Sequence, residues 1–374
     1  MSDLFGFEIE HECPDTNARA GRLSTPHGDI ATPVYMPVGT SATVKGMLPE
    51  NVAQAGGQIV LANTYHLYLR PGEDIVRQAG GLHKFMNWPK PILTDSGGYQ
   101  VFSLAGTNDI TDEGVSFKSH IDGSRHFISP EKAMQIQNDL GADIIMAFDE
   151  CCSYDAGYEY AQHSIQRTHE WLIRCIASHK NDAQALFGIV QGGMHSELRR
   201  QSAEQICSHD LPGYAIGGLS VGEPKEAMLE MLACQAPLLP KAKPRYLMGV
   251  GALYDLVEAV SLGIDMFDCV MQTRMARTGS AMAGLGRINL KNAAYKRDFA
   301  PIADDCSCYV CTNYTKAYLR HLVMGREMLA SMLLSYHNIA YTAQYMAKIR
   351  KSIIEGGLQS LLARERAKWA ELNR

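Results

Sequence analysis

Residues 186–217, LFGIVQGGMHSELRRQSAEQICSHDLPGYAIG, contain the pattern from which the architecture of this chain follows. A short apolar run, residues 186–190, ends in a polar, glycine-bearing turn. A segment with helical character, residues 195–208, comes next, and a second apolar run at 214–217 follows it. Short continuous apolar runs of this kind are typical of strands buried on both faces, as in a parallel sheet.

The same strand-then-helix pattern recurs along the chain. Further apolar runs occur at residues 34–38, 59–62, 91–94, 144–148, 246–249 and 264–267. Helical signals separate them, beginning at Pro49 and at Ser129-Pro130-Glu131, with further segments at 158–178, 225–235 and 252–261. Eight strands alternating with helices predict an α/β protein with a (β/α)8 TIM barrel, and a doubly wound open sheet is the alternative. Residues 96–128 interrupt the pattern, and we expect a hairpin there.

Composition limits the class of protein. The chain has 374 residues, 46% hydrophobic and 20% charged, which is ordinary for a folded globular protein. It contains no apolar run of membrane-spanning length and no N-terminal secretory signal, so we expect a cytoplasmic protein without membrane contact. The net charge of −5 argues against a protein that coats nucleic acid, so any such contact requires a local basic patch.

Polar or glycine residues follow the apolar runs directly. They are Asn63, Asp95, Asp149, Gln191, Gly218, Gly249 and Asp268. In a parallel barrel these residues would all lie on the C-terminal face, where barrel enzymes place their chemistry. Each residue taken alone is also compatible with an ordinary polar loop, and Asp95 with a turn aspartate that binds its own backbone.

Three aspartates around one pocket suit the cleavage of a glycosidic bond. One ionised carboxylate can stabilise or attack the oxocarbenium-like centre, and a second, held protonated, can protonate the leaving group. The Gln191 amide and the backbone at Gly218 and Leu219 could read a heterocyclic base on the same rim. The sequence thus predicts glycosyl chemistry at Asp95, Asp149 and Asp268.

Three cysteines in a C-x-C-x2-C pattern, Cys306, Cys308 and Cys311, precede His337 by 26 or more positions. Three thiolates and one imidazole complete a tetrahedral Zn²⁺ site with no open position, so one structural zinc per subunit is expected. An iron–sulfur cluster fits less well because a fourth nearby cysteine is missing. We therefore expect one catalytic domain over residues 1–374, with a zinc-binding subdomain at about 290–340 and a helical C-terminal tail.

Residues 269–297 form a basic segment. It contains six basic side chains and no Asp or Glu, although the chain as a whole is acidic. Clustered Lys and Arg are favoured on phosphate-binding surfaces by counterion release. The segment runs from Asp268 to the cysteine cluster, which predicts a polyanion-binding surface beside the carboxylates.

Several motifs together resemble the tRNA-guanine transglycosylase family, also called queuine tRNA-ribosyltransferase. They are MPVGTSATVKGMLPE, LANTYHLYLRPG, ILTDSGGYQVFSL, FDEC, GIVQGG, GGLSVGE, YLMGVG, DMFDCV…TR and the cysteine–histidine cluster, spanning about residues 33–340. The resemblance implies exchange of the wobble guanine in tRNAs with aspartate, asparagine, histidine and tyrosine anticodons for a 7-deazaguanine base, in queuosine biosynthesis. The catalytically silent tRNA-binding paralogue and a zinc-dependent barrel hydrolase are the alternatives.

The resemblance also implies roles for individual residues. Asp268 matches the nucleophile that attacks the ribose, and Asp95 matches the general acid/base. The base-reading groups match Asp149, Gln191, Gly218 and Leu219, and the residues that sandwich the base match Tyr99 and Met248. Arg274 and Arg277 match tRNA contacts, and Cys306, Cys308, Cys311 and His337 match the zinc ligands.

Two further expectations follow from the resemblance. Val221 matches the bacterial branch, which uses 7-aminomethyl-7-deazaguanine, and the family implies a homodimer built partly around the zinc region. Gln272 departs from the pattern, because the family commonly has proline there. We expect this change to loosen the loop that presents Arg274.

Overall fold

The computed structural model describes residues 4–104 and 108–372. Its strands, in chain order, are β1 (Gly6–Glu12), β2 (Arg19–Thr25), β3 (Gly28–Thr32), β4 (Val34–Gly39), β5 (Val60–Ala62), β6 (Ile92–Thr94), β7 (Asn108–Thr111), β8 (Gly114–Lys118), β9 (Arg125–Ile128), β10 (Ile144–Met146), β11 (Ala185–Val190), β12 (Gly213–Ile216), β13 (Arg245–Leu247), β14 (Met266–Cys269), β15 (Ser280–Ala283) and β16 (Gly286–Asn289). Its helices are α1 (Pro49–Gln54), α2 (Thr64–Leu69), α3 (Glu73–Gln78), α4 (Leu82–Phe85), α5 (Gly98–Leu104), α6 (Pro130–Leu140), α7 (Tyr158–Ser178), α8 (Ser196–Cys207), α9 (Lys225–Gln235), α10 (Leu253–Ser261), α11 (Met271–Arg277), α12 (Tyr309–Asn313), α13 (Lys316–Gly325), α14 (Met328–Ile354) and α15 (Leu358–Leu372), with 3₁₀ turns at Ala236–Leu238 and Ala293–Arg297. Within these ranges, no helix combines the length and apolar character needed to cross a bilayer.

Eight parallel strands close into a barrel. Their order around it is β4-β5-β6-β10-β11-β12-β13-β14, and β14 pairs with β4 to complete the ring. Each strand therefore lies beside the next barrel strand along the chain, with helices in the connections, as in a (β/α)8 TIM barrel. The prediction of this barrel is confirmed, and the open sheet is excluded because the ring has no edge strand.

The barrel strands are buried on both faces, as their continuous apolar composition predicts. On β14, Met266 packs inside the barrel with Met36, while Phe267 packs outside against the helices. Asp265, which precedes β14, is fully buried and pairs with Arg19 at 2.6 Å. This alternation places Asp268 on the same side of the strand as Met266.

A three-stranded antiparallel sheet, β1-β2-β3, covers the N-terminal end of the barrel. Leu23 and Ile30 of this sheet pack into the barrel interior. The carboxylate of Asp143 ties the two parts together, because its oxygens lie 2.7 Å from His27 Nδ1 and 3.1 Å from His83 Nε2. The two imidazole rings stack nearly parallel with centroids 3.5 Å apart, so their in-plane lone pairs do not converge on one point. The cluster is a hydrogen-bonded contact between sheet and barrel.

Local signals fix the ends of α6 where the sequence places them. The Ser129 hydroxyl accepts a hydrogen bond from Lys132 N at 3.3 Å, and Pro130 occupies the first turn. Gly141 ends the helix with a left-handed φ of 74°. Helix α6 packs on α7 and leads into β10, and Asp149 follows this strand at the C-terminal end of the barrel.

The segment after β6 is larger than expected. We predicted one hairpin for residues 96–128, whereas the structure contains helix α5 and a three-stranded antiparallel sheet, β7-β8-β9; residues 105–107 lie outside the described ranges. The third strand, β9, was missed because RHFI is short and largely exposed, so it lacks the continuous apolar run that marks the barrel strands. Asp112 in this segment contacts α7, where its backbone oxygen accepts from Trp171 Nε1 at 2.8 Å.

Candidate functional site

The C-terminal rim of the barrel brings the predicted polar residues together. Asp95 follows β6, Asp149 follows β10, and Asp268 lies within β14, one residue before that strand ends. Gln191 and Gly218 follow β11 and β12. Because all eight strands are parallel, their carboxyl ends meet at one face, and these residues lie close together there.

Asp95 is buried and held by the start of α2. Thr64 N donates to Asp95 Oδ1 at 2.8 Å, and Asn63 Nδ2 donates to Oδ2. Asn63 also caps α2, because its Oδ1 accepts from His66 N at 3.0 Å. Burial, together with the nearby charges of Asp268 and Asp149, raises the pKa of Asp95 to about 7, while the donated hydrogen bonds oppose the shift. Near neutral pH this carboxyl can therefore both give and take a proton.

Asp149 is buried between two polar side chains. Ser96 Oγ donates to Oδ1 at 2.7 Å, and Gln191 Nε2 donates to Oδ2 at 2.7 Å. Burial raises the pKa of Asp149 to about 6, and these two hydrogen bonds limit the shift. Gly98 makes the close approach possible, since a Cβ there would lie 2.5 Å from the Asp149 backbone oxygen. The Gln191 Oε1 atom is buried without a hydrogen-bond partner among the described residues, which leaves an acceptor for a ligand N–H group.

Asp268 presents one bound and one free oxygen. Tyr246 OH donates to Oδ1 at 2.6 Å, and Gly249 N donates to the same oxygen at 2.8 Å. No donor contacts Oδ2 within residues 4–104 and 108–372. Burial raises the pKa of Asp268, and the two donated hydrogen bonds oppose this because they favour the ionised form. The carboxylate is therefore fixed in orientation with one oxygen available for chemistry.

The remaining base-site candidates lie around the same rim. Tyr99 is in the first turn of α5 and is 49% exposed, and Met248 follows β13 with partial exposure. Gly218 has a left-handed φ of 64°, and Leu219 after it is buried in the core around the barrel. The flat ring of Tyr99 and the flexible side chain of Met248 are thus accessible to a planar ligand near the carboxylates.

Two exposed arginines follow Asp268 on α11. Arg274 and Arg277 are spaced i, i+3, so they lie on the same side of the helix, and neither forms an ion pair with a described residue. The helix begins three positions after Asp268. This arrangement leaves two guanidinium groups free for an anionic ligand beside the cavity.

Gln272 does not lie in a loosened loop, contrary to our expectation. It is fully buried within α11, where its Oε1 accepts from Tyr35 OH at 2.8 Å. Its Nε2 donates to Gly251 O at 2.9 Å. The side chain thus links α11 to β4 and to the loop after β13. These hydrogen bonds hold α11 in place, although Gln272 stands where the family commonly has proline. The sequence alone gives no sign of them.

The predicted cysteine–histidine cluster assembles as one centre. The Sγ atoms of Cys306, Cys308 and Cys311 lie 3.9, 3.5 and 3.4 Å from His337 Nδ1, and all four side chains form one candidate metal-binding group. Tetrahedral zinc bonds of ordinary length place sulfur and nitrogen about 3.6 Å apart. His337 Nε2 donates to Met282 O at 2.8 Å, which directs the Nδ1 lone pair at the thiolates. The donor set and spacing fit Zn²⁺.

One residue links this centre to α11. Asn338, next to His337 on α14, donates to Gln272 O at 2.9 Å and accepts from Met282 N at 2.8 Å. The hairpin β15-β16 carries Met282, so α14 fixes both α11 and the part of the basic segment that follows this helix. The position of the exposed arginines therefore depends on the metal-binding part of the chain.

Sequence reasoning missed several functional neighbours. Tyr246 belongs to an apolar strand and gave no sign that its hydroxyl binds Asp268. The sequence around Ser96 predicts a turn and gives no sign that the Ser96 hydroxyl donates to Asp149. Glu223 holds the loop after β12, because its carboxylate accepts from Ser220 N and Val221 N. Of these three residues, only Glu223, at the end of GGLSVGE, could have been found from the sequence, because a glutamate in a loop commonly accepts hydrogen bonds from loop N–H groups.

A parallel eight-stranded barrel with three carboxylates on its C-terminal rim and a closed Cys3His centre defines a barrel enzyme with a metal-binding subdomain. The family model described as "Queuine tRNA-ribosyltransferase" matches residues 13–371. Curated proteins named "Queuine tRNA-ribosyltransferase" from Halothermothrix orenii and Acetivibrio thermocellus are both 58% identical to the chain, over 352 and 353 residues and 94% of each sequence. That of Ruminiclostridium cellulolyticum is 55% identical over 355 residues and 95% of each. The chain belongs to the queuine tRNA-ribosyltransferase family and is an enzyme, which confirms the resemblance in the motifs.

Proposed function

We propose that the protein is a tRNA-guanine transglycosylase of the bacterial type. It exchanges the wobble guanine of tRNAs with aspartate, asparagine, histidine and tyrosine anticodons for 7-aminomethyl-7-deazaguanine. The observation that carries this proposal is the Asp268 carboxylate, with one oxygen held by Tyr246 and Gly249 and the other free, beside two carboxyls of raised pKa. Its tRNA substrate implies that the enzyme acts in the cytoplasm.

The exchange proceeds by double displacement. Asp268 Oδ2 attacks the ribose C1′, and the C1′–N9 bond breaks with its electron pair passing to guanine. The Asp95 proton neutralises the departing base. The incoming base then gives its N9 proton to Asp95 while N9 attacks C1′ and expels the Asp268 carboxylate. Glycosyl transfer typically uses two carboxyl groups in different surroundings, because one must be ionised while the other carries a proton.

The base is read on the side of the cavity that carries Asp149 and Gln191. The Asp149 carboxylate can accept from a guanine N–H edge, and the unpartnered Gln191 Oε1 supplies a second acceptor. Backbone groups of Gly218 and Leu219 contact the base from the next loop. Tyr99 and Met248 stack on its two faces. Extrusion of one nucleotide into this cavity is less costly from a single-stranded anticodon loop than from a duplex.

The basic segment of residues 269–297, with Arg274 and Arg277, binds the anticodon-loop phosphates, since its cations are exposed and pair with no carboxylate of the described residues. One Zn²⁺ per subunit at Cys306, Cys308, Cys311 and His337 stabilises a subdomain at about 290–340. All four donors are protein side chains, so the metal has a structural and not a catalytic role. The whole chain then acts as one catalytic domain with a helical tail.

The direct test is incorporation of radiolabelled guanine into transcribed tRNAs with the four anticodons. We expect exchange in each, and no exchange when position 34 is adenine. In a competition assay 7-aminomethyl-7-deazaguanine should be incorporated in preference to queuine. Incorporation of queuine instead would overturn the bacterial-type assignment. A tRNA gel shift without any exchange would favour a silent tRNA-binding paralogue.

We further propose that the protein is a homodimer with the zinc-proximal surface as its interface. Apolar side chains on α12, α13 and α14 are unusually exposed there: Tyr309, Tyr318, Met324, Met328 and Met332. Met328 alone is 83% exposed. Clustered exposed apolar side chains of this size mark interaction sites on many proteins, and the closeness of these helices to the metal centre would order them in each copy.

The double substitution Met328→Glu/Met332→Glu should weaken this dimer. Both methionines lie on one face of α14 at i, i+4, and burying each contributes about 2 kcal/mol, so the dimer Kd should rise at least about 100-fold. Sedimentation velocity over a concentration series measures this. Ile173→Glu, at a comparably exposed apolar residue on α7, is the control and should leave the dimer intact. Equal dissociation of both variants would place the interface elsewhere.

A further inference from the structure

Arg199 places a guanidinium in the interior, where it forms no ion pair with a carboxylate of the described residues. It lies on α8 with none of its surface exposed. Its guanidinium donates to Gly193 O at 2.9 Å, Gly217 O at 2.8 Å and Gly218 O at 2.9 Å, and to Gln235 Oε1 at 3.3 Å. A buried charge is costly unless its donors are satisfied, and here neutral oxygens satisfy them. We therefore look for a role of the Arg199 side chain other than stabilising the fold.

The three carbonyls belong to the two loops that carry base-site candidates. Gly193 lies in the turn after β11, two residues beyond Gln191. Gly217 and Gly218 form the turn after β12. The turn after β11 also packs closely on the backbone of α8, since a Cβ on Gly192 would lie 2.8 Å from Arg199 N. One guanidinium thus fixes the position of two adjacent rim loops relative to each other.

Peptide geometry gives this contact a consequence for the cavity. In a trans peptide the C=O and the following N–H point in opposite directions. The carbonyls of Gly217 and Gly218 point at Arg199, so the N–H groups of Gly218 and Leu219 point away from it. Neither N–H has an acceptor among the described residues. Two donors are therefore left free on the face of the loop opposite the guanidinium.

We propose that Arg199 is a positioning residue that orients the Gly218 and Leu219 N–H groups toward the bound base. The inference rests on the proposed function, because it takes the ligand of this rim to be a purine-like base with an acceptor on its edge. Arg199 does not touch that base. It holds two peptide planes at once through the rigid fork of its guanidinium, which a lysine ammonium cannot reproduce.

The test compares Arg199→Lys with Arg200→Lys in the full-length enzyme. Arg200 is the next residue on α8 and is exposed, so it is the matched control. Arg199→Lys keeps the charge but reaches fewer carbonyls, and misplaced donors should raise the KM for free guanine at least about 10-fold. The KM for tRNA should stay within about two-fold, because phosphate contacts dominate its affinity. Arg200→Lys should match the parent in both.

A purely structural role would lower the amount of active enzyme, and hence kcat, without changing the KM for guanine. If Arg199→Lys does not fold, Gln235→Glu provides the same test. A carboxylate there would attract the guanidinium away from Gly217 O and should raise the guanine KM several-fold. A parental guanine KM in the folded variant overturns the positioning role. Absence of guanine exchange in the unmodified enzyme would instead refute the proposed function.

Discussion

Replacement of Asp268 by asparagine should abolish both the covalent tRNA–enzyme adduct and guanine exchange, with a loss of rate of at least about 10³-fold. The amide is neutral and cannot act as the oxygen nucleophile. The fold should persist, because the amide oxygen can still accept from Tyr246 OH and Gly249 N as Oδ1 does now. The adduct is measured on a denaturing gel after incubation with tRNA and guanine, and exchange by radiolabel incorporation.

Asp139→Asn is a suitable control for this experiment. Asp139 lies on α6 and pairs with Arg77 on the surface at 3.3 Å, away from the C-terminal rim. Its replacement should leave adduct formation and exchange at parental levels. If Asp268→Asn exchanged guanine at the parental rate, Asp268 would not be the nucleophile, and the free Oδ2 atom would need another explanation.

Removal of the metal should unfold the region of residues 300–340 before it affects the carboxylate site. Zinc sites closed by protein ligands contribute about 10–16 kcal/mol to folding in small zinc-binding peptides, which is comparable to the whole stability of many domains. The link from His337 through Asn338 to Gln272 should then transmit the disorder to α11. We therefore expect tRNA affinity to fall together with protection of this region in hydrogen exchange.

Chelator treatment and the variant His337→Ala both test this prediction, with metal content measured by mass spectrometry. Cys207→Ser removes a thiol outside the cluster and should retain one zinc per chain. A catalytic metal would give a different result, in which chelation stops exchange while hydrogen-exchange protection of residues 300–340 remains. That outcome would contradict the structural role of the metal.

The raised pKa values of the three aspartates divide their roles. Burial raises all three, but Asp268 receives a tyrosine hydroxyl and a backbone N–H on one oxygen, which favours its ionised form. Asp95 has the charges of the other two aspartates nearby, which favour its protonated form. The proposed nucleophile and the proposed acid are both aspartates and thus differ because of their neighbours, as is typical of paired carboxylates in glycosyl transfer.

The sequence by itself determined the barrel, the ends of several helices and the identity of the metal-binding group. These features depend on local patterns: strands buried on both faces are continuously apolar, Ser129 and Gly141 bracket α6, and C-x-C-x2-C places thiolates within reach of one ion. The sequence also placed Asp95, Asp149 and Asp268 at strand ends, and parallel strands bring such ends to one rim.

Only the tertiary structure decided which partners these residues have. Tyr246 binds Asp268 from the neighbouring strand, Gln272 links α11 to β4, and Arg199 joins two glycine loops. Each of these side chains sits in a segment whose local pattern is an ordinary strand or helix. Their hydrogen bonds depend on the register and spacing of elements far apart in sequence, and long-range geometry of this kind arises when the barrel closes.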